Sequence, residues 1–155
     1  MQTRINYAKA APDAYQAVVA LATYVSKQSN LPPLLIDLIK LHASQINGCA
    51  YCVDMHTKEA IEHGASQQWV NLIVTWQESP IFSDAERAVL GWTEALTLIS
   101  DTRAPDEDYA AIKMFFSDED ITKISVAIGL INVWNRLAVG FRSKHPIDQP
   151  VVAAA

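Results

Sequence analysis

Both cysteines of the chain lie in one short stretch, NGCAYCVDMH, residues 47–56, with a histidine four positions after the second. If a helix opens near Gly48, Cys49 and Cys52 share a face of its first turn, and His56 lies one turn further along that face. A helix N-terminus carries partial positive charge and unpaired amide hydrogens, which favour thiolate over thiol. A histidine at this spacing can take the thiol proton or pair with the thiolate. Together these features describe a nucleophilic sulfur with a second thiol ready to close a disulfide. The helix terminus favours Cys49 as the attacking sulfur, whereas the i,i+4 histidine favours Cys52. On the residues alone the choice stays open.

Rival chemistries fit the spacing less well. A c-type haem requires CxxCH, and Val53 stands where that histidine belongs. Zinc would take Cys49, Cys52 and His56, with a fourth ligand sought among His42, His63, Asp37 and Asp54. No second CxxC or HxxxH supports that site. The bland alternative, two buried cysteines beside a satisfied histidine, requires three reactive side chains to meet at a helix start by chance. The expectation is a redox dithiol with no metal and no cofactor. His42, on the preceding helix, is a candidate neighbour of the pair.

The elements that must position these residues read as helices throughout, because no stretch sustains the period-2 alternation of a strand. A first helix starts at Pro12 and runs to about Ser29. A second starts at Pro32-Pro33 and stops at Asn47-Gly48, and a third runs from CAYC to Gly64. Ser66 caps a short helix containing Trp69, Ile73 and Trp76. SDAE at 83–86 is a capping box ahead of an amphipathic run in which Ala85, Val89, Trp92, Leu96 and Ile99 repeat at helical spacing. Pro105 starts a further helix to about Phe116, and Ser117 caps a last one to about Phe141.

That last helix is apolar nearly all round. Ile121, Ile124, Ile128 and Ile131 form one line and Leu130, Trp134, Leu137 and Phe141 another, so it must be central or lie in a subunit interface. Asn132, Asn135 and Arg136 interrupt it too often for a membrane span. Trp69, Trp76, Trp92 and Trp134 fit core or interface positions better than a ligand cage. His63, just before Gly64, suits a helix C-terminus. The VVAAA tail looks loosely attached.

The totals narrow the class. With 155 residues the chain suits one domain, residues 1–155. Half the residues are apolar and 19% are charged, a composition that favours burial in a homo-oligomer. A net charge of −5 excludes the basic face that nucleic-acid binding needs. No apolar leader precedes the first helix, so a cytoplasmic address is expected, where thiols stay mostly reduced.

The region 34–64, which contains LIDLIKLHASQINGCAYCVDMHTKEAIEHG, resembles the core of the alkyl hydroperoxidase D-like family of the carboxymuconolactone decarboxylase-like superfamily. The likeness continues through ERAVLGWTEALTLIS and INVWNRLAVGFR, so a core of about 12–145 is implied. The resemblance implies an all-α single-domain bundle, a trimer or hexamer, and thiol-dependent reduction of hydroperoxides with an external dithiol or carrier protein as reductant. It implies that Cys52 attacks the peroxide and passes through a sulfenic acid, that Cys49 resolves it to a disulfide, and that His56 relays protons.

Two positions depart from the family pattern. A glutamate usually stands twelve residues before the first cysteine, and this chain has Asp37, a carboxylate one methylene shorter, which would reach the imidazole through a water. The fullest relay has a histidine between the cysteines, and this chain has Tyr51, which can donate a hydrogen bond but does not shuttle protons near neutrality. Both are retained as site residues. Two other functions compete with the peroxidase. One is a redox-sensing or scaffolding oligomer without fast turnover. The other is a decarboxylase of the superfamily's namesake type, which does not need two thiols.

Overall fold

In a computed structural model describing residues 2–147, the chain is helical, with no strand among the described residues. The helices are α1 Tyr7–Ala10, α2 Pro12–Lys27, α3 Pro33–Ile46, α4 Ala50–Glu62, α5 Gln67–Leu72, α6 Asp84–Thr97, α7 Ile99–Thr102, α8 Asp106–Lys113 and α9 Asp118–Phe141. The expected VVAAA tail lies outside the described residues.

Local chemistry sets most of the boundaries. Pro12 and Pro33 occupy first-turn positions, where a missing N–H costs nothing. Ser66, Ser83 and Ser117 accept hydrogen bonds from the backbone N–H groups of Trp69, Glu86 and Asp120, each cap contributing about 1 kcal/mol. At α6 the cap is reciprocal, since Glu86 reaches back to the Ser83 N–H at 2.8 Å. Asp118, Glu119 and Asp120 lie in the first turn of α9, where negative charge suits the dipole.

Four boundaries differ from the sequence reading. Asn6 caps an additional short helix, α1. The Trp69–Trp76 segment leaves α geometry at Leu72 and tightens into a 3₁₀ turn, Ile73–Thr75. Pro105 is the N-cap of α8 rather than its first residue, and that helix stops at Lys113. Leu98 breaks the α6 repeat, so Ile99 falls in α7 and is 53% exposed.

The helix buried nearly all round is α3. Ile36 to Ser44 are buried except Lys40, with α4, α6 and α9 packed about it. The last helix has a buried side, Ile121, Ile124, Ile128, Leu130 and Ile131, and an exposed one that includes Val133 and Val139. By length and composition α9 could cross a membrane. Here it packs against α2, α3 and α6, with Asn132 and Asn135 buried in the bundle.

Those asparagines hold the turn that leads into the cysteines. The Asn47 side-chain amide, at the end of α3, donates to Asn132 Oδ1 at 3.0 Å and to Asn135 Oδ1 at 2.9 Å. Asn135 in turn donates to Ser44 Oγ, and Asn132 to Thr97 Oγ1 on α6. Gly48 follows at φ +63°, a left-handed conformation that glycine adopts without strain. Space is not the constraint there, because a Cβ would meet nothing within 4 Å. The turn is closed by the Cys49 N–H donating to the Ser44 carbonyl at 2.9 Å.

Asn47→Ala leaves Asn135 Oδ1 buried without a donor, while Asn132 Oδ1 keeps Arg136. The expected cost is about 1–3 kcal/mol. It should appear in urea unfolding as a lower midpoint at unchanged slope.

Candidate active site

Cys49 is the N-cap of α4, and its Sγ accepts from the Cys52 N–H at 3.4 Å. Cys52 therefore lies in the first turn, and the two are joined by a disulfide with Cα atoms 5.4 Å apart, inside the range that such a bridge spans. Both cysteines are 1% exposed and pack with Ala138 of α9 and Tyr51.

One turn on, His56 is also buried. Its Nδ1 lies 2.8 Å from Glu59 Oε2, and its Nε2 is buried without a hydrogen-bond partner. Glu59 also lies 3.5 Å from Lys40 Nζ on α3. The hydrogen bond with His56 pulls the Glu59 carboxyl down to about 2, helped by the charges of His56 and Lys40 against the opposing effect of burial. Sequence reasoning missed Glu59, although its i,i+3 spacing from His56 places it on the same helix face.

Asp37, expected beside His56, has a different partner. It is buried in α3 and its Oδ2 lies 2.5 Å from Nδ1 of His63, the C-cap of α4. The Asp37 hydrogen bond, then its charge, raise the His63 pKa above the ordinary value. His63 thus does more than sit at a helix end, since it ties that end back to α3. Tyr51 is half-buried beside the cysteines.

Cys52, His56, Glu59, Lys40 and Tyr51 line one cavity of about 400 Å³ between α2, α4 and α9. Its remaining wall is largely apolar and aromatic, with Tyr7, Tyr15, Val19, Leu130, Ile131, Met55 and Trp134. Tyr15 meets Trp134 edge-on at 5.7 Å between ring centroids, and Tyr7 lies 6.1 Å from Tyr15. Trp134, read from sequence as core or interface, packs against the core and also borders the cavity. Trp92 belongs to the buried core, and Trp69 and Trp76 pack against it. Cys49 does not line the cavity.

His42 stands outside this constellation. It is buried in α3, both ring nitrogens lack hydrogen-bond partners, and Nε2 is 3.8 Å from Glu94 on α6. Burial pushes its pKa down to about 4, so the ring is neutral at neutral pH and does not form an ion pair with Glu94. The zinc reading finds no support in this arrangement: Asp37 and His63 bind each other, and His42 faces Glu94.

His42 has a consequence for acid stability. Its folded pKa of about 4 lies below the ordinary 6.5, so on acidification the unfolded chain takes up the proton first. The contribution of the neutral ring is complete above about pH 6.5 and falls away between there and about pH 4, by roughly 3 kcal/mol. Urea titrations across this window should show that loss, and His42→Gln should flatten it.

A helical bundle with a CxxC disulfide at a helix start, bordering a cavity beside a buried histidine, defines a thiol–disulfide class of all-α protein. A sequence profile of the carboxymuconolactone decarboxylase family matches residues 12–95. The chain belongs to that family and is of the alkyl hydroperoxidase D-like type. It is 33% identical over 144 residues to the uncharacterized protein YdfG of Bacillus subtilis (strain 168), covering 93% of this chain and 97% of that one. A crystal structure from Agrobacterium tumefaciens, of a protein of unknown function for which an AhpD-type antioxidant defence role has been suggested, superposes with a TM-score of 0.92. It is 57% identical, over 95% of this chain and all of that one. The debrominase Bmp8 shares the fold at 22% identity and a TM-score of 0.75, over 89% of this chain and 74% of Bmp8. Bmp8 is a debrominase, so the shared fold by itself does not name a reaction.

Proposed function

We propose that the protein is a thiol-dependent peroxidase that reduces organic hydroperoxides through Cys52 and Cys49. The observation that carries this reading is that Cys52, and not Cys49, borders the cavity next to His56. In the reduced protein His56 takes the Cys52 proton, and the thiolate attacks the outer peroxide oxygen. The O–O bond breaks, the departing alkoxide takes the proton from His56 and leaves as an alcohol, and Cys52 becomes a sulfenic acid. Cys49 attacks that sulfur, the hydroxyl leaves as water, and the disulfide forms. An external dithiol or carrier protein supplies the two electrons that reopen it, attacking Cys52 through the cavity with Cys49 as the leaving thiolate.

The N-cap position suits Cys49 to that last role, because the first-turn amides stabilise a thiolate there. Tyr51 offers a hydroxyl to the bound peroxide. Asp37 acts at one remove, by holding α4 to α3 through His63. The apolar and aromatic wall favours a peroxide with a bulky uncharged body over hydrogen peroxide. The exposed apolar side chains Leu21, Val133 and Val139 suit a homotrimer or homohexamer in the cytoplasm. Light scattering should return such a mass, and a stable monomer would refute the assembly.

Mass spectrometry after dimedone trapping tests the division of labour. Cys52→Ser should abolish reaction with cumene hydroperoxide. Cys49→Ser should consume one equivalent and carry the adduct on Cys52. His56→Ala should slow the attack about 10²- to 10⁴-fold. An adduct on Cys49 in the Cys52→Ser protein, with none on Cys52 in the other, overturns the assignment.

A further inference from the structure

The family pattern draws the carboxylate for the relay histidine from the helix before the cysteines. In this chain that position is Asp37, and Asp37 is engaged by His63. A different carboxylate meets His56. We propose that Glu59 is the positioning residue for His56, holding its ring with the proton on Nδ1 and the lone pair of Nε2 free beside Cys52. This rests on the reading of His56 as the proton carrier, but the state of the ring can be measured independently.

The argument is one of donors and acceptors. An ionised carboxylate can only accept, so at 2.8 Å from Glu59 Oε2 the His56 Nδ1 must carry a hydrogen. Glu59 is kept ionised far below neutrality, chiefly by that same bond. A neutral ring with hydrogen on Nδ1 has its lone pair on Nε2. That atom is buried with no protein partner, in a residue that borders the cavity together with Cys52. A buried acceptor left open costs stability unless something fills it, and the Cys52 thiol hydrogen is the ligand this site supplies once the disulfide is reduced.

Two features hold Glu59 in place. It is on the same helix three residues after His56, and Lys40 reaches the same oxygen, Oε2, from α3 at 3.5 Å. The logic is that of an acid orienting a general base, in which the carboxylate fixes the tautomer and supports the imidazolium that forms as the proton arrives.

The test labels the histidines with ¹⁵N and reads the His56 tautomer by NMR in the reduced protein, on the alkaline side of the ring's titration. Hydrogen on Nδ1 is expected in the unmodified protein, and a shift towards hydrogen on Nε2 in Glu59→Ala. Cys52 oxidation by cumene hydroperoxide should slow on the order of 10- to 100-fold in Glu59→Ala, less than for loss of the base itself. Disulfide closure by diamide should be unchanged. Glu59→Gln keeps an acceptor and should recover part of the rate, and it also serves should the alanine variant fold poorly. Hydrogen on Nε2 in the unmodified protein, or an unaltered tautomer and rate in both variants, overturns the proposal. If the unmodified protein oxidises no faster than free cysteine, the peroxidase reading fails, and the tautomer measurement alone judges Glu59.

Discussion

The site depends on how α3 is joined to α4. The chain must leave a buried helix, reverse over the three residues 47–49, and start a second helix with Cys49 as its cap and Cys52 in its first turn. Gly48 supplies the left-handed step, but a glycine by itself leaves the turn free to rotate. What removes that freedom is the Asn47 amide, whose two hydrogens go to two carbonyl oxygens one turn apart on α9. The cysteines are thereby indexed to the longest helix of the fold. Their packing against Ala138 of the same helix follows from that anchor.

With the joint held, α3 and α4 lie side by side and exchange charges along their contact. Asp37 and Lys40 are one turn apart on α3, and they meet His63 and Glu59 of α4 respectively. Two imidazole–carboxylate pairs result, with different surroundings. His63 is nearly half exposed, and its pair clamps the far end of α4. His56 is buried, and its pair leaves one ring nitrogen without a partner in a residue that lines the same cavity as Cys52. Burial, more than the identity of the pair, separates the two: one is an exposed clamp, the other a buried pair at the edge of a cavity.

The cavity supplies what this polar edge lacks. Both cysteines are shielded from bulk water, and Cys52 borders a cavity walled in part by the aromatic rings of Tyr7, Tyr15 and Trp134. That wall is itself held by the chain's beginning, where Arg4 bonds to the backbone of Gly140 and Phe141 at the end of α9.

What the sequence determined by itself is the part governed by local chemistry. Serine caps, first-turn prolines and the 3.6-residue repeat are short-range, and they placed most helices within a few residues. The pairing of Cys49 with Cys52, and the lie of His56 one turn on, are consequences of helix geometry alone. Partners drawn from separate helices were decided only by the tertiary structure. Asp37 occupies the expected position, but its reach to His63 depends on how α3 and α4 are aligned. The asparagines of α9 read as interruptions in an apolar helix, because Asn47 is 85 residues away in sequence from its nearer partner. That Trp134 borders a cavity as well as the core was hidden, because apolar periodicity cannot distinguish a filled space from an empty one. Glu59 was within reach of the spacing rule, yet the rule could not rank it above Asp37. That ranking required knowing which carboxylate the fold had already given to another histidine.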